Sequence, residues 1–172
     1  MKDFLTVIIG PLTGSFLAGM VAFIIMRKNQ GYDVLKEKRK ECNNFLKATY
    51  VYNHVVEDIK KSLEGINAIA PTDLIYPQKN QILTIYYQVI KKGLNQLEKI
   101  PDDYIVHESY QYFLETKALV SMFEADFSDF LLRYQEDSQD STFFLTMNFE
   151  KMISELEELQ NKVMRIKNDL VI

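Results

Sequence analysis

The stretch LTMNFEKMISELEELQNKVMRIKNDL, residues 145–170, sets Leu145, Phe149, Met152, Leu156, Leu159, Val163, Ile166 and Leu170 at alternating spacings of four and three. That period predicts a helix over 142–170, with the apolar side chains on one face and Glu, Lys, Asn and Asp on the others. A helix with a single apolar stripe has to bury it against another layer, so the question is what the rest of the chain offers.

It offers more helices of the same kind. Upstream of a polar break at 138–142, residues 102–136 carry an aromatic stripe of Phe113, Thr116, Val120, Phe123, Phe127, Phe130 and Tyr134, opened by Pro101 and Asp102. A shorter helix over 78–99 aligns Leu83, Tyr87, Ile90, Leu94 and Leu97, with Ile82, Tyr86 and Val89 beside them. Gly93 within it costs about 1 kcal/mol relative to alanine. Before the turn Pro71–Pro77, residues 32–70 repeat Leu35, Cys42, Phe45, Thr49, Tyr52, Val56, Ile59, Leu63, Ile66 and Ala70. Pro71 ends that helix, because the residue before a proline is pushed out of helical geometry. Four heptad-like helices joined by short connections predict an all-α, antiparallel four-helix bundle with coiled-coil-like packing. At about 1.5 Å per residue the first helix approaches 60 Å, about twice the second. Either part of it projects as a stalk, or its uncovered stripe pairs with a second copy.

The other informative stretch is FLTVIIGPLTGSFLAGMVAFIIM, residues 4–26, which holds no charged side chain and is closed by Arg27 and Lys28. About 20 apolar residues cross a hydrocarbon core of about 30 Å. The run exceeds a signal-peptide apolar region, follows only Met-Lys-Asp and lacks a small-residue cleavage site, so an uncleaved single-pass anchor is expected over 1–28, with the helical body over 29–172. Basic residues set its orientation. Lys2 stands on one side, and Arg27, Lys28, Lys36, Lys38, Arg39 and Lys40 on the other, which predicts an outside N-terminus and a cytoplasmic body in the cell membrane. Within the span Gly10, Gly14, Ala18 and Ala22 recur every four residues, a small-residue face suited to close helix packing and self-association in lipid.

Net charge is −4, unevenly spread: residues 27–61 hold nine Lys and Arg against five acids, and residues 62–172 ten against eighteen. The basic end adjoins the expected membrane and suits an anionic inner leaflet, while the acidic remainder repels phosphate and argues against a nucleic-acid partner. Cys42 is the one cysteine, which excludes an intramolecular disulfide and a cysteine-based structural zinc site.

No pattern calls for catalysis. Di-iron bundles need Glu-x-x-His pairs, yet Val51 and Tyr104 stand three residues before His54 and His107. His54 does share a helix face with Glu57, two ligands at most. Cys42 and His54 lie about 18 Å apart along one predicted helix at about 1.5 Å per residue, too far for a nucleophile and its base. Gly31, Gly65 and Gly93 are isolated, so no phosphate loop exists. Neither a cofactor nor a metal is expected, and a small-molecule pocket, for which Tyr86, Tyr87, Tyr110, Tyr112 and Tyr134 are the candidates, is the lesser expectation. The acidic cluster Glu124, Asp126, Asp129, Glu136, Asp137 and Asp140, along the third helix and just beyond it, lacks the spacing of a calcium loop and reads as a solvated outer face or a docking surface for a basic partner.

The layout of one outside-to-inside span followed by cytoplasmic helices resembles bacterial membrane-anchored scaffolds, including cell-division regulators with spectrin-like helices, in architecture and without a shared motif. That likeness transfers no residue roles; the leading expectation from the chain itself is a non-enzymatic, membrane-tethered interaction protein that self-associates. The alternative is a membrane-active effector of toxin or phage-defence type, in which the bundle senses a trigger and the spans assemble.

Overall fold

The computed structural model describes residues 2–72, 75–136 and 142–170, with side chains from residue 19 onward. The described residues are all-α, without a strand. Where a membrane helix and four bundle helices were expected, the described residues form five α-helices and one 3-10 turn, with the first two expected helices continuous and the last one split: α1 (Lys2–Ile69), α2 (Tyr76–Glu98), the 3-10 turn Asp102–Tyr104, α3 (His107–Glu136), α4 (Thr142–Thr146) and α5 (Phe149–Leu170).

Each departure from the expected boundaries has a local cause. Gly31, which stands between the expected anchor and the first expected bundle helix, lies inside α1. One glycine costs about 1 kcal/mol in a helix, too little to end one bounded by good formers on both sides. The third helix starts at His107 rather than Asp102 because Ile105 is extended (φ −101°, ψ 120°) and almost fully buried. Its side chain reaches the core from that extended backbone. The predicted final helix breaks at Met147–Asn148, where Asn148 Oδ1 accepts the Lys151 N–H at 2.9 Å and so caps a new helix. The break re-aims the residues before it: Leu145, placed on the stripe by its spacing, is 81% exposed, and Phe143 is buried instead.

The chain divides into two units, residues 1–42 and 43–172. In the second, contacts fix the direction of neighbouring helices. Gly93 of α2 faces Ile59 of α1 while Tyr86 faces Gly65, so the two run antiparallel. Tyr76 meets Tyr134 and Tyr87 meets Glu124 between α2 and α3. Tyr112 meets Lys162 and Phe123 meets Phe149 between α3 and α5. Asn53 meets Gln160 and Lys60 meets Glu157 between α1 and α5. Each of these neighbouring pairs is antiparallel, as in an up-and-down bundle.

Most positions of the expected stripes fill the interior: Phe45, Tyr52, Val56, Ile59, Leu63, Leu83, Ile90, Leu97, Phe113, Val120, Phe127, Leu156 and Val163 are buried, whereas Leu35 and Leu170, at the outer ends of their stripes, are 59% and 45% exposed. One end is aromatic, with Phe143 against Phe123, Phe127, Phe130 and Phe149 at centroid distances of 4.9–6.0 Å, the range in which ring pairs attract. Buried hydroxyls are satisfied along their own helices: Thr49 donates to the Phe45 carbonyl, and Thr116 to that of Tyr112. Because Thr116 spends its proton there, Tyr52 O–H donates across the core to Thr116 Oγ1 at 2.8 Å. Gly93 lets α2 approach α1, since a Cβ on it would lie 3.0 Å from Ile59 Cδ1 and 3.2 Å from Val55 Cγ1.

No basic residue stands in the last turn of α1. Lys79 supplies one from α2, its Nζ donating to the Ala70 and Thr72 carbonyls at 2.8 and 3.2 Å. It serves the carbonyls that a helix end leaves without partners.

Candidate interaction surfaces

Arg27, Lys28, Lys36, Lys38, Arg39 and Lys40, all in the first unit, are exposed, and the Arg27 guanidinium sits 5.8 Å from the Phe23 ring centre. Tyr32, Leu35, Lys36 and Arg39 line a shallow notch. Before them Met20, Val21, Phe23, Ile24, Ile25 and Met26 are each at least half exposed. Among the described residues no helix is long and apolar enough to cross a membrane, so the expected transmembrane helix gains no support from the structure. Residues 4–18 of the apolar run lie outside those whose side chains are described, as do Gly10, Gly14 and Ala18; Ala22 is exposed.

The acidic row does not form one patch. Glu124 turns toward α2 and accepts the Tyr87 hydroxyl proton at 2.7 Å. Asp126 and Asp129 instead line a cleft of about 520 Å³ with Arg133, Thr142, Phe143, Thr146 and Met147, between α3 and α4. Glu136 is exposed at the end of α3, and Asp137 and Asp140 lie outside the described residues.

The tyrosines do not converge on a pocket either. Tyr86 covers Gly65, Tyr87 packs on Phe127, Tyr112 lies 5.5 Å from the Lys162 ammonium, and Tyr134 stacks between Phe130 and Tyr76. Burial pushes the Tyr52 phenol up to about 12, against a smaller opposite effect of its bond to Thr116. His54 faces Asp58 at 3.6 Å on the exposed side of α1, and Cys42 is half-buried. Among the described residues no group of three or more His, Cys, Asp or Glu side chains is placed to hold a metal.

Two grooves were not foreseen. One, of about 290 Å³, has Ala48, Val51, Ile100, Pro101 and Tyr104 as its apolar lining and Lys47 and Lys99 at its rim. The other, of about 380 Å³ between α3 and α5, is lined by Ala118, Leu119, Met122 and Leu159, with Glu115, Glu155, Glu158 and Lys162 around them. The sequence held a signal for the second: Leu119 and Met122 are apolar yet lie beside the Phe113–Tyr134 stripe, not on it. Compared with known proteins, the chain matches no protein family, no curated protein and no solved structure.

Proposed function

We propose that this chain is a non-enzymatic, single-pass membrane-anchored interaction protein, with an outside N-terminus and a self-associating cytoplasmic body that packs as an antiparallel, coiled-coil-like bundle. The observation that carries the reading is the uncharged run Phe4–Met26 closed by Arg27 and Lys28, whose described apolar side chains, Met20 to Met26, stand half exposed. Six such neighbours are costly in water and at no cost in hydrocarbon. The exposed basic residues that follow meet anionic lipid headgroups at about 1 kcal/mol each.

Membrane fractionation tests it. The full chain should stay in the pellet through alkaline carbonate and leave it only with detergent, and a tag after Ile172 should be accessible only from the cytoplasmic side. Release by carbonate would overturn the anchor, and external access to the tag would overturn the orientation. Dye leakage on induced expression, abolished by Gly14→Leu, would instead favour the membrane-active effector.

A further inference from the structure

We propose that the groove between α3 and α5 is the docking site for a basic amphipathic α-helix of a partner protein. This deepens the interaction reading and rests on it. The floor of the groove is apolar and open: Met122 is 68% exposed, and Ala118 and Leu119 flank it, with Leu159 beneath. Methionine side chains adapt to the shape of an incoming apolar face, and the groove is at the lower end of the size range of ligand-binding clefts. A helix presenting apolar anchors at i and i+3 or i+4 is the occupant that a groove between two helices accepts.

Charge then selects which helix. The rim holds Glu115, Glu155 and Glu158 against one cation, Lys162. That cation is already engaged, with Glu158 Oε1 at 2.7 Å and the Tyr112 ring centre at 5.5 Å. Glu115 receives a hydrogen bond from the Gln111 amide at 2.9 Å, and Glu155 has only the exposed Lys151 at 3.7 Å. Three carboxylates against one cation leave the groove edge net negative, with Glu115 sharing Lys162 at longer range and Glu155 held by an exposed lysine, which favours Lys or Arg on the flanks of an incoming helix and repels an acidic one. The other two clefts lack this combination. The Asp126–Asp129 cleft already contains Arg133, and the groove at Val51 is bordered by Lys47 and Lys99.

The test uses the full chain in nanodiscs of neutral phosphatidylcholine and a fluorescein-labelled helical peptide with a leucine stripe and lysine flanks, followed by anisotropy, with empty nanodiscs as baseline. Binding above baseline is expected, weakened at least tenfold in Met122→Glu, in the double variant Glu115→Lys with Glu155→Lys, and for a peptide with glutamate flanks. Circular dichroism unchanged from the parent certifies both variants as folded. Equal affinity for parent and variants, or binding no stronger than to empty nanodiscs, overturns the proposal. So does a parent chain larger than a monomer that Met122→Glu reduces to one, since the occupant is then a second copy. Either result leaves the membrane-anchor test untouched.

Discussion

Tyr52 and Gly93 show how single atoms decide packing in the bundle. The Tyr52 phenol, fully buried and bonded to Thr116, ionises near 12, about two units above a free tyrosine. Its stabilising effect is therefore complete below about pH 10 and is lost as pH rises from about 10 to 12, by about 2 to 3 kcal/mol. Denaturant titrations of parent and Tyr52→Phe should show that excess loss in the parent alone. At pH 7 the variant should be only about 1 kcal/mol less stable, because Thr116 keeps its bond to the Tyr112 carbonyl. Gly93 balances two effects. Gly93→Ala gains about 1 kcal/mol of helix propensity and presses a methyl against Ile59 Cδ1. Ile59→Val removes that atom but keeps a Cγ 3.1 Å away and leaves Val55 Cγ1 at 3.2 Å, so a double-mutant cycle should give a favourable coupling of no more than about 1 kcal/mol, and an unfavourable coupling would overturn the contact.

Helix boundaries depend on features that periodicity does not carry. The repeat from Phe149 to Val163 reads correctly from spacing alone, because each of those residues falls on the buried face. Leu145 continues the arithmetic and is exposed, because Asn148 accepts a backbone N–H and a new helix begins at Phe149, four residues after Leu145. Leu145→Glu should therefore change stability by less than about 0.5 kcal/mol, and Phe143→Ala should cost about 3 to 5 kcal/mol. Asn148→Ala, losing the cap of α5, should cost about 1 kcal/mol. Thermal unfolding of the three variants ranks them, and the reverse order for residues 143 and 145 would restore the uninterrupted helix. The start of α3 was hidden for a similar reason: Pro101-Asp102 is a sound helix opening, and only the burial of Ile105 keeps it to a single 3-10 turn.

At the scale of the whole molecule, fold class was legible because stripes of three-four period over four long segments leave few alternatives to helices packed on helices. Surfaces were less legible. The acidic residues of α3 are close in sequence but radiate around the helix, so Glu124 faces Tyr87 while Asp126 and Asp129 face α4. The α3–α5 groove joins residues from 115 to 162, a juxtaposition that only packing creates. Burial also ranks the seam: Leu156→Glu, a charge placed at a fully buried position, should unfold the body, which loss of the helical circular dichroism signal would report. Retention of the full signal would mean that the α5 stripe is not structurally required.

The bond from Gln160 to Asn53 spans 107 positions of the chain, and it has a meaning in time as well as in space. Synthesis delivers α1 first and α5 last, so Phe123 and Phe127 wait uncovered on one side until Phe143 and then Phe149 arrive. An anchored chain would pass that interval beside the bilayer, with aromatic surface open and its last wall missing. Stalling translation between α3 and α5 should therefore give a species that recruits chaperones or aggregates, and release of the final helix should end both.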